Sequence, residues 1–235
     1  MTSRHSTYGK RRRTLESLYA AMLAHFGPSG WWPAKTPFEV ALGAILTQNT
    51  SWTNVDKALA ALDAATALVP DRIASLPLPD LEALIRPAGF FRQKSLKILA
   101  FLELLRRYDG LGHGETDTAL ACFAHVETDE LRRELLAVSG IGPETADCIL
   151  LYALDRPSFV VDAYTRRLCL RHGLVPESVR YDELREFFMD ALEPDVALFN
   201  EYHALIVRTG KEFCRKTKPR CDGCPLASFL EYAPE

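Results

Sequence analysis

The sequence predicts an all-α protein, on three observations. Apolar residues recur at helical spacing in nearly every periodic stretch, strand-like alternation never persists beyond a few residues, and helix start and stop signals bracket the stretches. The first helix should run from about Arg12 to Phe26, with Leu15, Leu18, Tyr19, Met22 and Phe26 on one face, and Gly27-Pro28-Ser29-Gly30 should end it. Thr36-Pro37-Phe38-Glu39 reads as a capping box with proline at the first helical position, opening a buried helix through Val40, Leu42, Ile45 and Leu46. A further helix should cover roughly Thr53 to Ala64, with short ones around Pro70 and Pro79. Longer helices follow from about Arg92 to Tyr108 and from Asp129 to Val138. The last three should span Ala163 to His172, Tyr181 to Leu192 and Asp195 to about Phe213. The middle one puts Leu184, Phe187, Phe188, Ala191 and Leu192 on one packed face.

A chain of 235 residues can bury a large core as one unit or as two modest lobes. Its 48% hydrophobic and 25% charged residues are ordinary for a soluble globular protein. No apolar run approaches the ~18 residues of a membrane span, and the start of the chain lacks the apolar centre of a signal peptide, so a cytoplasmic location is expected. The net charge of -3 argues mildly against a generic nucleic-acid binder. Distribution counts for more. Basic residues cluster at Lys10 to Arg13, at Arg92, Lys94 and Lys97, at Arg166, Arg167 and Arg171, and from Arg208 to Arg220. Such clusters are either solvated helix faces or a surface for DNA.

One stretch organises the rest. In Val138-Ser139-Gly140-Ile141-Gly142-Pro143, two glycines bracket one apolar residue between helix-forming segments, which makes a tight turn where glycine supplies positive φ. Pro143 suits the first position of the next helix, whose unpaired N–H groups could face a phosphate. Twenty residues after Gly142, Asp162 follows a β-branched run and reads as a helix N-cap that presents a carboxylate. From Gly-x-Gly alone, an ordinary αα-hairpin followed by a capped helix is an equal reading.

The whole run, Leu136 to Asp147 with Val160-Val161-Asp162, resembles the helix-hairpin-helix and Gly/Pro…Asp signature of the endonuclease III superfamily of DNA glycosylases. The resemblance implies that Gly140, Ile141 and Gly142 contact a DNA phosphate and that Asp162 is the essential carboxylate. It also implies two helical lobes with a DNA cleft between them. One would be continuous over residues 36–154, and the other would join residues 1–35 to 155–235. Bifunctional members carry a nucleophilic lysine where this chain has Glu144, so amine attack on the sugar is not expected.

Trp31-Trp32-Pro33 lies between two predicted helices, and Gln48-Asn49-Thr50-Ser51-Trp52 lies at another junction. The tryptophan pair could simply plug one lobe onto the other. Together, however, Trp31, Trp32, Pro33 and Trp52 resemble the base pocket of the 3-methyladenine branch of the superfamily, to which Glu144 and Lys211 also correspond. An enzyme acting on a base must extrude it and hold it between aromatic or apolar surfaces. A cationic alkylated purine would gain a cation–π contribution of about 0.5–2 kcal/mol from Trp52. It is also a good leaving group, so a carboxylate such as Asp162 suffices to stabilise the sugar cation or activate water. By the same resemblance Gln48 enters the space left by the flipped base and Phe90 is an apolar wedge. Core packing is the plain alternative for Phe90 and Phe91, and a dipole contact the plain alternative for Lys211.

Six cysteines in a cytoplasmic chain argue against disulfides. Cys122, Cys148 and Cys169 read as core fillers, whereas Cys214-x6-Cys221-x2-Cys224 has the spacing of a metal site. It resembles the iron–sulfur loop of endonuclease III, except that the fourth cysteine position is Leu230. A four-iron cluster normally takes four cysteines. Glu231 as fourth ligand, a three-iron form, zinc, or a site that has lost its metal would each accommodate the difference. The expectation is thus a monofunctional glycosylase of damaged double-stranded DNA, acting as a monomer at the nucleoid on an alkylated purine. Rival readings are a glycosylase for oxidised pyrimidines or mismatched bases, and a DNA-binding protein without catalysis.

Overall fold

The computed structural model describes residues 2–30, 35–109, 111 and 119–230, with side chains from residue 9 onward. Its elements are helical, and no strand occurs among the described residues. The chain divides into two units, Trp32–Arg156 and the pair of segments Met1–Trp31 and Pro157–Glu235.

In the central unit, α2 (Pro37–Leu46) begins as expected. The Thr36 side chain accepts a hydrogen bond from the Glu39 N–H at 3.1 Å. The Glu39 carboxylate reaches one residue further back than a capping box requires, taking the Lys35 N–H at 2.7 Å. The unit continues with α3 (Trp52–Thr66), α4 (Pro70–Ala74), α5 (Leu78–Leu84) and α6 (Phe91–Arg107). It ends with α7 (Thr128–Ala137), α8 (Pro143–Cys148) and a π-helical turn, Ile149–Ala153. Phe38, Leu42, Val55, Leu62, Ile98, Phe101, Phe123 and Ile149 are fully buried in its core.

Two arginines brace the α7–α8 hairpin. Arg132 donates to both oxygens of Asp147, at 2.8 and 3.0 Å, and the Asp147 carboxylate is fully buried. Bidentate pairing of this kind offsets the desolvation of a buried charge. Arg156 donates to the carbonyls of Val126 and Phe123, the latter at 2.6 Å, and so fastens the segment ahead of α7.

The other unit begins with α1, which spans Thr2–Phe26 and so starts ten residues before the expected Arg12. It continues with α9 (Ala163–Arg171), α10 (Tyr181–Met189) and α11 (Val196–Glu212). Phe159 stacks on Phe188 with ring centroids 4.0 Å apart, and Phe199 and Tyr202 meet Phe159 edge-on. Such arrangements add to simple burial. The buried Tyr202 hydroxyl donates to the Leu15 carbonyl at 2.8 Å, tying α11 to α1. Gly210 lets α11 approach α9 closely, since a Cβ there would lie 2.3 Å from the Tyr164 ring.

Candidate DNA interface and catalytic carboxylate

The hairpin turn in the central unit needs one of its glycines for conformation and leaves the other open. Gly140 has φ +84, whereas Gly142 is the extended N-cap of α8 with φ −90. The reading of positive φ therefore holds for Gly140 alone. A side chain at Gly140 would also collide with the Lys97 stem, at 2.5 Å, while nothing lies within 4 Å of the Cβ position of Gly142. The Ile141 side chain is buried at 5% exposure and its N–H donates to the Val138 carbonyl at 3.1 Å, so this residue closes the turn. Glu144 is exposed in the first turn of α8, where a carboxylate complements the positive helix end.

Gln48, in the turn after α2, is held by this hairpin. Its Nε2 donates to Thr145 Oγ1 at 2.9 Å and to the Gly140 carbonyl at 3.4 Å, and its Oε1 accepts from Lys97 Nζ. Phe90 is 63% exposed at the start of α6, with φ 46. Core packing is therefore excluded for it. A bulky residue in the left-handed region is uncommon and marks a conformation imposed by its surroundings. Phe91 is half-buried, with the guanidinium groups of Arg86 and Arg92 at 5.3 and 5.6 Å from its ring centre. Trp52 is half-buried at the first position of α3, inside the helix and not in the preceding turn. Trp31, Trp32 and Pro33 lie outside the described residues.

Asp162, in the other unit, is the N-cap of α9 as the sequence indicates. Its Oδ1 accepts from the Thr165 N–H at 2.7 Å and from the Thr165 hydroxyl at 3.0 Å. Its Oδ2 faces His203 Nε2 of α11 at 3.7 Å, an ion-pair distance longer than a hydrogen bond. Burial pushes the Asp162 pKa up, but His203 and the two Thr165 donors more than compensate, holding it below the usual carboxylate value. The arrangement keeps a largely buried carboxylate ionised, a form suited to stabilising a neighbouring cation or accepting a proton from water. Sequence reasoning missed His203, because an isolated histidine in an apolar helix carries no signal of its partner. Lys211 is exposed in the last turn of α11, where a lysine complements the helix dipole.

The cysteine loop is organised by arginines that the sequence suggested for a DNA surface. Arg167 donates to the Cys214 carbonyl at 2.7 Å. Arg171 donates to Cys214 Sγ at 3.3 Å and to the carbonyls of Arg215 and Lys216 at 2.7 and 3.1 Å. Arg166 likewise donates to the Glu177 carbonyl. Cys214, Cys221, Cys224 and Leu230 line one small apolar cavity. Leu230 thus puts an isobutyl group into the cavity where a fourth thiolate would stand. Among the described residues, no three His, Cys, Asp or Glu side chains form a group able to hold a metal ion. The residues present therefore do not supply the four-thiolate shell of an iron–sulfur cluster.

Comparison with known proteins agrees with this arrangement of motifs. Residues 42–194 match the HhH-GPD superfamily base excision DNA repair protein family. A candidate DNA repair glycosylase of Methanocaldococcus jannaschii is 45% identical over 214 residues, covering 90% of this chain and 93% of the relative. Endonuclease III of Sulfolobus acidocaldarius is 28% identical over 196 residues, covering 83% and 82%. Among solved structures, the 3-methyladenine DNA glycosylase of H. pylori bound to 1,N6-ethenoadenine is 30% identical, with a TM-score of 0.69 over 86% of this chain and 97% of that one. A trapped endonuclease III–DNA covalent intermediate shares the fold, with a TM-score of 0.76 at 22% identity over 94% and 95%. With its Gly140-Ile141-Gly142 hairpin, its capping aspartate and a match over more than half its length, this chain belongs to the HhH-GPD superfamily of base excision DNA repair proteins.

Proposed function

We propose that this chain, a DNA repair glycosylase of the HhH-GPD superfamily, releases an alkylated purine such as 3-methyladenine from double-stranded DNA and leaves the abasic strand uncut. The observation that carries the proposal is Asp162, a largely buried carboxylate held ionised by Thr165 and His203. In the reaction the bond between the base nitrogen and C1′ breaks, and the base leaves with the bonding electrons. The Asp162 charge stabilises the sugar cation, and water adds at C1′, losing its proton to the carboxylate or to solvent. A base that already carries positive charge needs no protonation to leave. Likeness to the H. pylori 3-methyladenine glycosylase supports this choice of base. A glycosylase for oxidised pyrimidines or mismatched bases is the second reading, and endonuclease III of Sulfolobus acidocaldarius is among the relatives.

In this reading the Gly140-Ile141-Gly142 turn takes a phosphate, Phe90 wedges the duplex, and Gln48 fills the vacated space. Trp52 and Glu144 of the central unit contribute to holding the extruded base. The protein acts as a monomer, and no step runs through the cysteine loop. No helix among the described residues is long and apolar enough to cross a membrane.

Duplexes carrying single 3-methyladenine, 7-methylguanine, thymine glycol or A·8-oxoguanine lesions test the proposal when scored for base release, strand breaks before and after alkali, and borohydride trapping. Release of the methylated purines with breaks only after alkali is expected. A bifunctional enzyme needs a neutral amine to form an imine with the sugar, and Glu144 cannot do so. A trapped adduct with breaks before alkali would withdraw the monofunctional reading, and release of thymine glycol alone would withdraw the alkylated purine.

A further inference from the structure

Lys94 is only 1% exposed, yet the mechanism above makes no use of it. It stands in the first turn of α6, and its Nζ donates to two backbone carbonyls, of Leu46 and of Ala88, each at 2.8 Å. Leu46 is the last residue of α2, two positions before Gln48. Ala88 closes the 3₁₀ turn Arg86–Ala88, two positions before Phe90. Carbonyls at helix ends lack intrahelical partners, and inside a protein they must be satisfied by another group. One ammonium therefore clips together the two segments that carry Gln48 and Phe90. One turn further along α6, Lys97 holds the Gln48 side chain and packs its stem against Gly140.

We propose that Lys94 is a positioning residue for base extrusion: by joining the Leu46 and Ala88 carbonyls it fixes the spacing of Gln48 and Phe90, so that both enter the duplex in register. The inference rests on the glycosylase reading given above. Three features support it. A buried ammonium is costly, and an apolar side chain could fill the same space without that cost. Phe90 keeps a left-handed backbone and an exposed ring directly beside the clip, so the turn is held in a conformation that it would not choose alone. Burial and repulsion from Lys97 lower the Lys94 pKa to about 8. A neutral amine nevertheless keeps two N–H groups for the two carbonyls, so the clip survives loss of the proton.

The test is single-turnover excision by Lys94→Met on two duplexes with the same lesion, one opposite a normal base and one opposite an abasic analogue. Where the opposite position is empty, extrusion has less stacking and pairing to overcome. A loss of tenfold or more on the normal duplex with less than threefold on the pre-opened one is expected. Equal losses on both would reduce Lys94 to a structural role and overturn the proposal, as would no loss on either.

Should Lys94→Met fail to fold, a cycle of Gln48→Ala, Phe90→Ala and the double variant on the intact Lys94 background gives the answer. Residues locked in one register should not act independently. The double variant should therefore lose at least threefold less than the product of the single losses, and a loss equal to that product would overturn the proposal. Wild-type protein inert on every lesion would instead bring down the glycosylase reading, and this inference with it.

Discussion

Asp162 has two jobs that can be separated by two substitutions at one position. Its Oδ1 caps α9 through the Thr165 N–H and hydroxyl, and its charge faces His203 through Oδ2. Asparagine is as good an N-cap as aspartate, so Asp162→Asn keeps the cap and removes the charge. The stability cost should then be mainly the lost interaction of a carboxylate with the helix N-terminus, about 0.3–1 kcal/mol. Asp162→Ala removes both. A lost cap typically costs about 1 kcal/mol, and donors left unpaired inside the protein add about 1–3 kcal/mol. In a chain of this size about 1 kcal/mol moves Tm by about 2–4 °C. Asp162→Asn should therefore melt no more than about 4 °C below wild type, and Asp162→Ala clearly lower.

Base excision should follow a different order. Both variants lack the carboxylate, and both should lose about 10²–10⁴ in the single-turnover rate, in the range of a positioned acid or base. DNA binding by Asp162→Asn should stay within about tenfold of wild type, because in the proposed reaction the charge acts in the transition state and not in the ground state. Thermal melts, a fluorescence binding titration and single-turnover excision on one lesion decide the matter. Near-normal excision by Asp162→Asn would remove the carboxylate from the mechanism. Acidity provides an internal check. The folded pKa of Asp162 lies below its usual 3.8, so the stability due to its charge is fully present above that value and is lost only as pH falls through the folded pKa. The stability gap between wild type and Asp162→Asn should accordingly receive no contribution from Asp162 titration between pH 5 and 8.

Three further outcomes are expected. Arg132→Met deprives the fully buried Asp147 of its bidentate partner and should cost about 3–5 kcal/mol, whereas Arg132→Met with Asp147→Leu should recover much of that loss; a single-variant cost below 1 kcal/mol in a denaturant titration would contradict the pairing. Gly140→Ala combines a positive φ with a collision against Lys97, so it should weaken DNA binding at least tenfold in a titration on undamaged duplex. Unchanged affinity would dissociate the turn from phosphate binding. Leu230→Cys should raise the iron content of protein purified without air, since it completes a four-cysteine pattern around the cavity of Cys214, Cys221 and Cys224. Iron content that does not move would show that this loop is not a cluster site.

Helices and their caps were legible in the residue order because their causes are local. Thr36 and Asp162 cap helices through the N–H three residues on, at 3.1 and 2.7 Å, and the apolar faces repeat within a single element. The family signature is legible for the same reason. The hairpin turn and the start of the next helix are contiguous from Leu136 to Asp147, and Asp162 caps the helix that begins at the following residue.

Partnerships between distant segments were decided by the tertiary structure. Lys94 reads in Arg92-Gln93-Lys94-Ser95-Leu96-Lys97 as part of an exposed basic cluster, either a solvated helix face or a surface for DNA, because lysine is usually exposed. Folding places a carbonyl 48 residues away above its Nζ and seals it from water. Arg167 and Arg171 read as a surface for phosphates until the fold brings the Cys214 loop within their reach. Phe90 could have been core or surface on composition alone, and its left-handed backbone and exposed ring exist only beside the clipped turn. His203 acquires its relation to Asp162 only when α11 packs on α9, an approach that Gly210 permits. A side chain's type sets what it can bind, but burial and the carbonyls or carboxylates brought opposite it decide what it does bind, and these come from contacts that no local pattern encodes.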